Sequence, residues 1–154
     1  MHSTLAALLL GAGTLTATTG HAQRAELQPA PFRKANTLVV LTSLPADSVL
    51  DVVARTLQQR GFQLPEPAAG QGPEIRTLPG IEAGVACWPL VIRAEPISGG
   101  VRLTGRYQMP EIAGAQEFPA EFLGFEWSPA KCSFRQVERI AQSIPRATIT
   151  YGRY

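Results

Sequence analysis

The chain has 154 residues, enough for one domain with a real core and too few for two. An apolar fraction of 45% and a charged fraction of 17% are ordinary for a globular protein. The 14 Lys and Arg leave a net charge of +2 and form no run, which argues against nucleic acid as a partner.

The amino-terminal stretch carries no acidic or basic side chain apart from histidine. Leu5 to Gly13 are apolar, and a Thr-rich segment then leads into "GHAQ". Gly20 and Ala22 are the small residues three and one places before a secretory cleavage site, so residues 1–22 read as a signal peptide. An uncleaved anchor is the competing reading, but the apolar stretch falls well short of the ~20 residues that span a bilayer. The leader has no Lys or Arg before its apolar part, which departs from the usual pattern. With no cysteine near the cut, a bacterial lipid anchor is not expected. The expected location is the periplasm or the exterior, with no transmembrane segment in the mature chain.

Residues 23–35, opening "QRAELQPAPFRK", read as a flexible leader, and 36–154 as a single α+β domain. "NTLVVLTS" is a β-branched run of strand length. In "PADSVLDVVARTLQQRGF", Pro45 suits a first helical turn, Asp47 complements the helix dipole and Gly61 can end the helix. Val49, Val53 and Leu57 share one face, with Leu50 and Ala54 beside them. "PEPAAGQGP" (65–73) breaks the pattern into a loop, and "EIRTL" reads as a short edge strand.

"PLVIRAEPI" and "VRLTGRYQM" flank "SGG" as the two arms of a hairpin. Val101, Leu103, Tyr107 and Met109 alternate with Arg102, Thr104, Arg106 and Gln108, while Gly99 and Gly100 can supply positive φ angles. Residues 110–132 are irregular and aromatic. A second helix is expected from Ser133, in a capping box with Gln136, burying Phe134, Val137, Ala141 and Ile144. "ATITYGRY" is a closing strand. The order predicts a two-layer α+β sandwich with both helices on one face of a mostly antiparallel sheet. Its order is βαββαβ, ferredoxin-like, plus an extra edge strand near Ile75.

Little chemistry accompanies this scaffold. His2 and His21 both leave with the signal peptide, which removes Ser-His and Cys-His nucleophiles and most zinc sites. In an oxidising compartment Cys87 and Cys132 read most simply as one disulfide, with two separate buried thiols as the alternative. Glu111, Glu117, Glu121 and Glu126 leave open a small glutamate-dependent hydrolase. No calcium loop, phosphate loop or Gly-x-Ser-x-Gly turn is present, so no catalytic residue, metal or cofactor is expected. Phe118, Phe122, Phe125 and Trp127, with Leu123, either complete the core or form an exposed partner-binding patch. Arg102 and Arg106 share one strand face and either orient an acidic partner or are simply solvated.

The combination of "NTLVVLTS", "DSVLDVVARTLQQRGF", the "VIRA…VRLTGRY" hairpin and "VERIAQSIPRATITY" resembles small uncharacterised exported bacterial envelope α+β domains. The resemblance covers most of the mature chain through element order and helix pattern. It implies an envelope location and a non-enzymatic domain, and it transfers no functional residues. Many such proteins are lipid-anchored, and this chain lacks the cysteine for that. The expectation is a secreted or periplasmic interaction domain whose partner is another envelope protein. Its alternatives are the hydrolase and a purely structural or homodimerising protein, and the sequence leaves the oligomeric state open.

Overall fold

Alternation in the hairpin and 3.6-residue periodicity in the helices bury one shared face. Leu38, Val40, Leu90, Ile92, Val101 and Leu103 from strands meet Val49, Val53, Leu57, Phe134 and Ile140 from helices, all fully inaccessible to water. Burying a side chain of this size contributes roughly 2–3 kcal/mol, so this face is what holds the two layers together. The computed structural model describes residues 27–66, 72–109 and 116–154. The signal peptide expected over 1–22 and Glu111 lie outside the described residues.

The elements in chain order are β1 (Thr37–Leu41), α1 (Ala46–Gln59), β2 (Ile75–Arg76), β3 (Leu90–Ile97) and β4 (Gly100–Gln108). They are followed by β5 (Glu117–Pro119), α2 (Pro129–Gln142) and β6 (Thr148–Gly152). The fold is α+β, with two helices against a six-stranded antiparallel sheet of order β2-β3-β4-β1-β6. β5 pairs with Arg106–Gln108, continuing along the edge of β4 that β1 occupies as far as Thr104. The sheet therefore departs from a four-strand βαββαβ unit. Two short strands enlarge it.

Several local expectations are corrected. α2 begins at Pro129, not Ser133, because Ser128 supplies the N-cap and Pro129 takes the first helical position, where its missing N–H costs nothing. Ser133 and Gln136 are then fully buried helix residues and make no capping box. Pro45 stands just before α1 and not inside it. Of the two hairpin glycines, only Gly99 has a positive φ, 76°. Gly100 is needed for a different reason. A Cβ there would collide with the Val40 carbonyl oxygen and lie 2.9 Å from its carbon and 3.0 Å from Leu41 Cα.

Residues 27–35, expected to be loose, are tied down. Gln28 and Tyr151 exchange backbone hydrogen bonds at 2.9 and 2.8 Å, and Lys34 N–H donates to the Phe122 carbonyl at 3.1 Å. Phe122 N–H donates back to Ala35, whose side chain is fully buried. These bonds place the amino-terminal segment beside the aromatic connection that leads into α2.

Candidate functional site

The connection from β5 to α2 divides its aromatic residues into two classes. Phe118 stacks on Tyr107 with centroids 5.6 Å apart, and Phe122 meets the core residue Phe134 edge-on at 5.6 Å. Both are half-buried, so they brace the connection. Phe125 and Trp127 are different: they remain 72% and 79% exposed. The expected patch of four aromatics is therefore two supports and two presented rings.

The turn that presents them is held locally. Gly124 adopts φ 85°, a left-handed conformation that side chains disfavour. Ser128 N–H donates to the Phe125 carbonyl at 3.0 Å, and the Ser128 hydroxyl donates to the Leu123 carbonyl at 2.9 Å. The same hydroxyl accepts from Lys131 N–H, so one serine closes the turn and caps α2. Behind the turn, Lys131 and Arg135 lie over the Phe122 ring at 4.7 and 5.0 Å. Such contacts are worth about 0.5–1 kcal/mol each where water has access.

Two glutamates of this region, Glu117 and Glu126, are engaged with cations. Glu126 lies 2.8 Å from Lys131 and 3.3 Å from Arg135. The hydrogen bond from Lys131, then the one from Arg135, holds its carboxyl below the usual range. That is the opposite of what a general acid requires. Glu117 accepts from Arg106 at 3.1 Å and also faces Arg76 and Gln108. Glu121 is half-buried.

Arg102 and Arg106 do share the outer face of β4, but both have carboxylates in reach. Arg102 lies 3.4 Å from Glu95 and stacks at 5.0 Å over Tyr154, and Arg106 holds Glu117. Arg93 links the same face to Glu74 at 2.5 Å and to Glu95 at 2.8 Å. A groove of about 1130 Å³ runs past Arg93, Glu95, Thr104, Arg106 and Tyr154. Its lining contains neither Phe125 nor Trp127. The face is a lattice of internal ion pairs, which an acidic partner would have to break.

A third cluster had no local signature in the sequence. Glu82, with a side chain only 7% exposed, takes Arg60 from the end of α1 and Arg139 from α2, while its N–H donates to Gln136 Oε1. In the same loop Cys87 is bonded to Cys132, with the Cα atoms 6.2 Å apart. This spacing lies inside the range that a disulfide spans. A helix starting at Ser133 would leave Cys132 just ahead of it. Instead Cys132 lies within α2, and Cys87 lies in the loop before β3. Loop 81–89 is thus pinned to α2 twice.

Tyr151 of β6 donates its hydroxyl to Glu138 of α2 at 2.8 Å. Burial, helped by that hydrogen bond, pushes its phenol up to about 12. The folded state therefore favours the neutral phenol relative to an unfolded value of about 10. This contribution is complete below pH ~10 and is lost as the pH rises towards 12. Tyr151→Phe should show a shallower loss of thermal stability across that interval than the wild type. Equal losses in the two proteins would exclude Tyr151 as the group responsible.

Among the described residues no three His, Cys, Asp or Glu side chains converge as metal ligands, and no helix is long and apolar enough to cross a membrane. Compared with known proteins, the chain matches no family model, no curated protein and no solved structure.

Proposed function

We propose that this protein is an exported, non-enzymatic interaction domain of the bacterial envelope that contacts its partner through the Gly124–Trp127 turn. One observation carries this reading: Phe125 and Trp127 stand 72% and 79% exposed on a turn closed by its own hydrogen bonds. Leaving two large rings in water forfeits the stabilisation that burying them would bring, and a held turn loses little further entropy on docking. Aromatic anchors of this kind dominate contact surfaces.

Export rests on the signal-like leader and is supported by the Cys87–Cys132 bond, since disulfides persist in oxidising compartments. The four longer strands in the order β3-β4-β1-β6, with two helices, support a split βαβ scaffold enlarged by β2 and β5. The ion-paired state of Glu117 and Glu126 favours a binding role over a carboxylate hydrolase.

The test is photo-crosslinking in living cells with the probe at position 127, compared with a probe at Gln58 on the exposed face of α1. The expected result is a recurrent adduct at 127 that is absent at 58 and is lost when Phe125 is replaced by Ala. Equal labelling from both positions would leave the turn with no special role.

A further inference from the structure

The shape and surroundings of the turn indicate the class of surface it meets. Its exposed apolar part is two side chains, and the residue between them, Glu126, is folded back onto Lys131 and Arg135. A typical protein partner requires about 800 Å² and 20–30 residues per side, with a core depleted of charge. Two rings projecting from a ring of charged side chains do not provide that. A fluid surface accepts a projecting tip by closing around it.

The charges around the tip favour a lipid headgroup layer. Lys131 and Arg135 lie over the Phe122 ring at the base of the turn. Arg33 and Lys34 are brought alongside by the backbone bond from Lys34 to Phe122. Against these four stand Glu121, Glu126 and Glu138. Glu138 is buried and already occupied by Tyr151 and Arg135, and Glu126 is neutralised in place. Inserting the tip therefore carries Glu126 and Glu138 as paired groups, and Glu121 is the carboxylate that opposes the amino-terminal cations. A tryptophan beside basic residues is the side chain that settles at the membrane–water boundary, with its ring among the acyl chains and its N–H at headgroup level.

We propose that the Gly124–Trp127 turn is a membrane foot. Phe125 and Trp127 enter the interface of an anionic bilayer, while Arg33 and Lys34 beside the turn face lipid phosphates. This rests on the turn being the protein's contact surface and names that contact. Two rings give reversible attachment, comparable in kind to a single short lipid anchor.

The experiment uses the oxidised protein with vesicles of phosphatidylethanolamine and phosphatidylglycerol, or of phosphatidylcholine alone. Flotation measures binding, and brominated acyl chains report which tryptophan reaches the bilayer. The wild type should float with the anionic vesicles, with Trp127 blue-shifted and quenched, and a Trp88→Phe variant should give the same signal. An excess of one positive charge predicts a preference of about five-fold over the zwitterionic vesicles. Trp127→Ala and Phe125→Ala should each lower partitioning at least about five-fold, with unchanged melting temperatures. No flotation of the wild type, or equal flotation of Trp127→Ala, overturns the proposal. If vesicles fail but position 127 still crosslinks one envelope protein through Phe125, the lipid assignment falls and the contact surface stands. If both fail, both fall.

Discussion

Gly100→Ala is expected to destabilise the protein by at least about 3 kcal/mol, although it adds only one methyl group. The new Cβ would overlap the Val40 carbonyl and press on Leu41 Cα, so main chain blocks it and no side chain can rotate away. β1 would have to leave β4 over Leu41↔Gly100 and Val40↔Val101. β1 is also the strand on which β6 pairs, so the displacement would propagate to the far edge of the sheet. Against a total stability of about 5–15 kcal/mol, Gly100→Ala should remain folded with a lowered melting point and Gly100→Val should be largely unfolded. Urea unfolding of the alanine variant is the direct check. A loss below about 1 kcal/mol would mean that β1 can slide without penalty, and the tight approach would not matter.

The second large effect is expected from the Cys87→Ser/Cys132→Ser double variant, which breaks the bond without leaving a lone thiol. The cysteines are 45 residues apart. The chain-entropy argument gives about 4 kcal/mol as an upper value for closing such a loop in the unfolded chain. A realised loss of about 3 kcal/mol would lower the melting temperature by about 10 °C in a domain of this size. The folded loop should stay in place, because Glu82 still holds Arg60 and Arg139. Removing a cross-link from the unfolded state also exposes more surface on denaturation, so the dependence on urea should steepen. If reduction of the wild type changes neither the midpoint nor the slope, the bond contributes nothing to stability.

The sequence showed the elements best where a single physical signal ruled. The buried stripes of α1 and α2 follow from 3.6-residue spacing alone: Val49, Val53 and Leu57 on one, Phe134, Val137 and Ala141 along the other, with Ile144 buried just past its end. The hairpin follows in the same way from period-two alternation. The start of α2 was misplaced because two cap signals compete within six residues. Ser133 with Gln136 resembles a capping box, while Ser128 before Pro129 is a simple N-cap that accepts from Lys131 N–H. Proline settled it, since Pro129 can only open the helix.

The candidate site was half legible. Aromatic content marked residues 118–127, but composition cannot say which rings turn inward. That depended on Tyr107 and Phe134, each distant in the chain, offering stacking surfaces to Phe118 and Phe122. Glu117 and Glu126 looked like candidates for chemistry until the fold brought arginines to them. Glu82 was invisible for the same reason, since its partners sit 22 and 57 residues away.

The placement of β1 has a further consequence. The first strand made is the one that ends between β4 and β6, and it runs antiparallel to both. Its last partner is Thr148–Gly152, almost at the carboxyl end. β1 can therefore pair with β4 once Gly100–Thr104 has been made, while its other edge stays open until β6 follows. Only the β3–β4 hairpin and the helices have neighbours close enough to form early. Closing that open edge of β1 requires a contact more than 100 residues apart in sequence, which slows the last step of folding.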